Sequence, residues 1–180
     1  MTVIAVDTQG AEVAKPWVEK ANATYRALLD QNNLLGKALN LKYVPAGLVL
    51  DESGRLARAV GGMNIDDESF RADLSSWAET GQIPKSWIEA DRQSAPQEMT
   101  AAEAEADSRF QLAILLLERG KRDEAVAEMK RAFKLDPENW LIRKQLWAVE
   151  HPESFYEGNV DYGWQKEQMA REKAELETAD

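Results

Sequence analysis

Cysteine is absent from the 180 residues, and histidine occurs once, as His151. The first absence excludes disulfides, a thiol nucleophile, a dithiol redox pair, an iron–sulfur cluster and Cys-ligated zinc within this chain. The second excludes any site built from two of its own histidines. Basic residues are outnumbered, with 22 Lys and Arg against 32 Asp and Glu, a formal charge of −10. Nucleic acid and anionic membrane surfaces need clustered positive charge, so neither is an expected partner. Long apolar runs are also missing. The longest, Leu112–Leu117, is six residues, whereas a membrane-spanning helix needs about twenty. Met1–Val6 is too short for a signal-peptide core and carries no basic stretch. The expected setting is soluble and cytoplasmic, and no metal or cofactor is expected.

What is present suits a folded chain. Hydrophobic residues make up 44%, with six Trp, four Tyr and four Phe, a composition that can bury a core. The length allows one or two domains. Acidity is uneven: residues 1–96 carry ten basic and 13 acidic side chains, the remainder 12 and 19. The acidic excess belongs mostly to the second half, as expected of a solvated helical surface.

The first eighty residues alternate strand and helix patterns. Val3–Val6 reads as a buried strand ended by Asp7 and Gly10. Glu12–Ala23 reads as a helix, with Pro16 in its first turns where a missing N–H is tolerated. Tyr25–Leu29 is a second strand, Asn32–Asn40 a short helix and Ala46–Leu50 a third strand. Asp51-Glu52-Ser53-Gly54 is a turn signal, and Arg55–Val60 returns to complete a hairpin. Asp67–Thr80 reads as a helix, preceded by acids suited to its N-terminus. Residues 82–100, with Pro84 and Pro96, read as a linker. Beyond them the pattern is helical almost throughout, with a break at Glu150–Glu153, an aromatic loop over Ser154–Gly163 and a last helix over Trp164–Thr178.

Four stretches in the first part carry a resemblance: Val3-Ile4-Ala5-Val6-Asp7; Tyr25–Asp30; Asn33–Asn40 with Tyr43-Val44-Pro45-Ala46-Gly47-Leu48-Val49-Leu50-Asp51; and Ser53-Gly54-Arg55-Leu56. In order and spacing they resemble the thioredoxin-like, or redoxin, family over about residues 2–80. The resemblance implies that Val44-Pro45 occupies the family's cis-proline loop. It also implies a departure. Complete relatives place a cysteine-bearing strand and helix ahead of the segment matching Val3–Val6, and this chain starts after that unit. The strand concerned is central in the family sheet, between those matching Val3–Val6 and Ala46–Leu50. Without it two strand edges face each other unpaired, which is costly when buried. Three closures are open: the two strands pair directly, a second copy supplies a strand, or another protein fills the gap. A homodimer through the exposed sheet edge is the favoured expectation.

Residues 106–139 resemble a tetratricopeptide repeat, whose period is about 34 residues. With Ala106 first, Leu112, Ala113 and Leu116 fall on core positions, Gly120 on the turn, Ala125 and Ala132 on the small positions, Met129 on a large one and Pro137 on the terminator. Asp123 is placed to cap the second helix. One repeat makes a helical hairpin but not a groove-forming array. Trp140–Val149 reads as a capping helix.

Few constellations suggest chemistry. Asp66, Asp67 and Glu68 lack the spacing of a calcium loop and suit helix capping. His151 beside Glu150 and Glu153 is a poor metal site, because adjacent residues do not converge. Gly61-Gly62 lacks the Lys-Ser/Thr of a phosphate loop. The aromatic cluster Trp140, Trp147, Phe155, Tyr156, Tyr162 and Trp164, with Arg143, either packs the last helix onto the repeat or forms a partner surface, since Trp and Tyr are common anchors.

The expected architecture is an α/β truncated thioredoxin-like layer over residues 1–81, a linker over 82–100, and an all-α tetratricopeptide-like region over 101–180. No residue matches a redox-active position. The favoured function is a non-catalytic, self-associating interaction module. Two other readings stand beside it: a truncated or alternatively started thiol–disulfide oxidoreductase with its cysteines upstream, and an adaptor completed by a cysteine-bearing partner.

Overall fold

The computed structural model describes residues 2–5, 10–44, 46–93, 99–157 and 160–178. The first half mixes strands and helices: β1 (Thr2–Ala5), α1 (Ala11–Lys20), β2 (Arg26–Leu29), α2 (Leu34–Ala38), β3 (Gly47–Leu50), β4 (Leu56–Gly61) and α3 (Glu68–Thr80). The second is helical: α4 (Lys85–Gln93), α5 (Ala101–Glu118), α6 (Arg122–Leu135), α7 (Trp140–Glu150), α8 (Glu153–Tyr156) and α9 (Tyr162–Thr178).

The strands form two separate pairs. β1 lies parallel to β2, with Val3 opposite Ala27 and Ala5 opposite Leu29. β3 and β4 form an antiparallel hairpin with irregular register. Its turn is built by Asp51, whose carboxylate accepts from the backbone N–H groups of Ser53 at 2.8 Å and Arg55 at 2.9 Å. Gly54 supplies the positive φ, at 80°, that an L side chain resists. Among the described residues neither pair bonds to the other, so β1 and β3 do not pair directly.

Local chemistry sets the helix ends. Asp67 caps α3 by accepting from Phe70 N–H at 3.0 Å, and the Ser69 hydroxyl, followed by that amide, holds its carboxyl below the usual range. α5 opens on a capping box, in which Thr100 Oγ1 accepts from Glu103 N–H and the Glu103 carboxylate accepts from Thr100 N–H. α6 starts at Arg122 behind Lys121, so Asp123 falls inside its first turn and does not cap it. It still favours the positive end of the helix dipole.

The core is helical. Ala106, Phe110, Ala113 and Ile114 of α5 pack on Ala125, Met129, Ala132 and Phe133 of α6, and Leu141, Ile142, Leu146 and Val149 of α7 close the cluster. Alanines at 106, 113, 125 and 132 are fully buried, and their small side chains let α5 and α6 approach closely. Leu112, expected in this core, is instead 45% exposed. Phe110 and Ile114, two residues to either side, fill the interior in its place. Arg109 ties the outer edge of the hairpin by reaching Glu105 on its own helix and Glu128 on α6.

Residues 82–100, expected as a linker, contain α4. Its Trp87 is buried against Phe70 and Trp77 of α3, with ring centroids 6.1 and 5.9 Å away. Pro84 starts the helix, its carbonyl accepting from Trp87 and Ile88 N–H. The indole drives the segment onto α3 through aromatic contact, which outweighs the loop character of the surrounding polar residues.

Candidate functional site

The aromatic residues of the second half are brought together around α7 and α9. Trp147 is buried, and its indole N–H donates to Glu172 of α9. Trp164 meets Trp147 edge-on at 5.7 Å, Phe155 at 6.1 Å and the His151 ring at 4.9 Å. Phe155 in turn lies 6.2 Å from Tyr156. Arg143 is held between Phe133 and Trp140, 5.0 and 4.7 Å from the ring centroids. It donates to the Pro137 carbonyl at 2.9 Å and lies 3.3 Å from Glu172 Oε2, an ion pair without hydrogen-bond geometry. These contacts fasten α8 and α9 onto α7. Only Tyr162, 66% exposed, stands well clear of the packing. His151 Nδ1 lies 3.2 Å from Glu153. Among the described residues no group of three or more His, Asp or Glu side chains converges to hold a metal ion, and no helix is long and apolar enough to cross a membrane.

The loop after α2 joins the two halves. Lys42 forms an ion pair with Glu103 at the start of α5 and another, at 3.4 Å, with Asp136 at the end of α6. Its carbonyl accepts from Leu141 N–H at 3.0 Å, and Lys37 pairs with Asp107 at 2.9 Å. Burial alone would lower the Lys42 ammonium, but the hydrogen bond to Glu103 and the charge of Asp136 raise it instead. Glu103 is pulled from its ordinary 4.5 to about 2 by the Lys42 hydrogen bond and then by Thr100 N–H. One carboxylate thus caps a helix and anchors the first half. The Thr-x-x-Glu spacing at 100–103 signals the cap in the sequence, but nothing local signals Lys42, which is 61 residues away.

α2 is positioned by Asp30. Its buried carboxylate accepts from Leu34 N–H at 2.7 Å, Leu35 N–H at 2.8 Å and Gly36 N–H at 3.2 Å. Asn33 adopts φ 51° and is buried beside Gly36, where a Cβ would fall 1.9 Å from its Oδ1. Val44, from the expected proline loop, is exposed; Pro45 lies outside the described residues.

Among the described residues, β2, the tip of the hairpin and α1 are poorly covered. Arg26, Ala27, Leu28 and Leu29 of β2 are all exposed, Leu28 by 47%. Leu50 and Leu56 of the hairpin are exposed too, and α1 buries none of its residues. Pro16 sits inside α1 and removes one of its hydrogen bonds. Trp87 is the one buried hydrophobic residue ahead of Ala106 among the described residues. Parallel strands are normally covered on both faces, so this geometry leaves backbone edges and leucines able to take further structure.

No family model matches the chain, and no curated protein or solved structure shows significant similarity to it.

Proposed function

We propose that this chain is a non-catalytic interaction module acting in the cytoplasm, and that it self-associates through its strand pairs. In this reading the first half is a thioredoxin-like layer without thiol chemistry. The second is a tetratricopeptide-like hairpin that carries and steadies it. The observation that bears most weight is β2, a strand of a parallel pair with all four residues exposed. Such a pair is a poor end state for an isolated chain. A second copy presents the same strands and leucines, and a twofold interface satisfies both at once. The missing cysteines support binding over redox chemistry.

Light scattering on the purified chain, with hydrogen exchange in parallel, tests this. A dimer with slow exchange at Val3–Ala5 and Gly47–Leu50 is expected. A monomer in which those amides are equally protected would overturn it, because the edges would then already be satisfied within one chain.

A further inference from the structure

Lys42 makes two kinds of contact at one corner of the helical half. Its ammonium pairs with Glu103 at the start of α5 and with Asp136 at the end of α6, where a positive charge also suits the helix dipole. Its carbonyl accepts from Leu141 N–H in the first turn of α7. The first N–H groups of a helix have no partner within it. Asn139 serves Ile142, and Lys42 serves Leu141 from across the joint. The corner itself is built without Lys42. Thr100 donates to Glu103 from both its N–H and its hydroxyl, and the Asn139 side chain donates to Asp136 at 3.1 Å. Both carboxylates thus have local partners that do not depend on the ammonium.

Among the described residues three ion pairs cross the joint, and they are segregated by sign. Both cations, Lys37 and Lys42, belong to the first half, and the three anions, Glu103, Asp107 and Asp136, belong to the helices. Water reaches this joint. The Lys37 and Lys42 side chains are 52% and 28% exposed. A void of about 30 Å³, room for about two waters, is lined by Asn33, Gly36 and Lys37 from the first half and by Phe110, Asn139 and Leu141 from the helices.

We propose that α2 and the loop after it form an ionic latch, which holds the first half on the α5–α7 helices at low ionic strength and lets go as salt rises while those helices stay folded. Pairs this exposed are screened once the Debye length falls to about 3 Å, near 1 M salt. A polar, hydrated joint between two parts of a chain also opens more readily than a large apolar one. The helices have their own buried cluster, from Ala106 to Val149, and keep it when the joint opens. Salt acts in the opposite direction on the chain as a whole. The net charge of −10 repels itself, so screening favours the compact state. Loosening at the joint and tightening elsewhere are therefore separable. Every group in the latch belongs to one chain, so the latch works whether or not the chain self-associates.

Amide hydrogen exchange of the full chain is followed at neutral pH in about 0.05 M and about 1 M NaCl, each amide being taken relative to its unfolded rate at the same salt. Leu141 N–H is expected to exchange roughly five- to tenfold faster in the high salt, while Met129 and Ala132 N–H, inside α6, hold steady or slow down. Lys42→Met, which removes the ammonium and keeps the carbonyl, is expected to show the fast rate at low salt with little further response. Lys42→Arg keeps the response. Exchange at Leu141 that is the same in both salts overturns the proposal. So does an equal acceleration at Met129 and Ala132, which would mean that the whole fold loosens, and so does a salt response at Leu141 that Lys42→Met leaves intact. Circular dichroism verifies folding, and the salt comparison on the unsubstituted chain decides the matter if Lys42→Met misfolds.

Discussion

Asp30 shows how much one side chain organises. Its carboxylate collects three backbone N–H groups that a helix of five residues cannot satisfy for itself. Asp30→Ala is expected to cost about 1–2 kcal/mol in urea denaturation, the range for a lost cap with buried donors left over. Asp30→Asn, which keeps one acceptor oxygen, should lose less. A result for Asp30→Ala within error of the unsubstituted chain would mean that water replaces the carboxylate. The sequence places Asp30 at a strand end, but its role depends on Asn33 entering the left-handed region beside Gly36. Short-range composition does not specify that geometry.

Among the elements, the ones legible in advance are those whose signal is local. The α5–α6 hairpin follows from alanines at 106, 113, 125 and 132 and from the turn at Gly120, whose φ is 71°. The strand–turn–strand unit follows from Asp51 to Gly54. α4 is not legible, because its reason is the meeting of Trp87 with two rings on another helix. Leu112 misleads for another cause: the repeat's positions place it inside, but two residues turn a helix by about 200°, so the register that buries Phe110 and Ile114 leaves Leu112 on the outer side. The docking of the halves through Lys42 and Glu103 is likewise a long-range fact. It brings a pH dependence. Glu103 is held to about 2 in the fold against an ordinary 4.5. A carboxyl lowered in the folded state stabilises fully above its unfolded value and loses that contribution as pH falls from about 4.5 towards about 2. Hydrogen exchange at Leu141 N–H, whose acceptor is the Lys42 carbonyl, should accelerate, relative to the unfolded rate, across that window. Glu103→Gln should remove the acid dependence; an unaltered profile in that variant would assign it to another group.

At the scale of the whole molecule, apolar burial is lopsided. The described buried hydrophobic residues run from Trp87 to Val149, while Leu28, Leu50, Leu56 and Ile65 stay exposed in the first half. The mixed α/β character of that half was legible from its alternating patterns, but its division into two strand pairs depends on which edges meet. Self-association through these pairs predicts that Leu28→Lys weakens the dimer by roughly tenfold, since a charge replaces about one buried leucine. Sedimentation velocity at several concentrations reads this directly. A variant that dimerises as well as the unsubstituted chain would move the interface elsewhere.

The same imbalance has a temporal side. Ribosomes add about 5–20 residues per second, and in the half made first no described hydrophobic residue is buried. Lys42 leaves the peptidyl-transferase centre some 61 residues before Glu103, a wait of roughly 3–12 s at those rates. During that interval the exposed leucines and strand edges have no helical base to rest on.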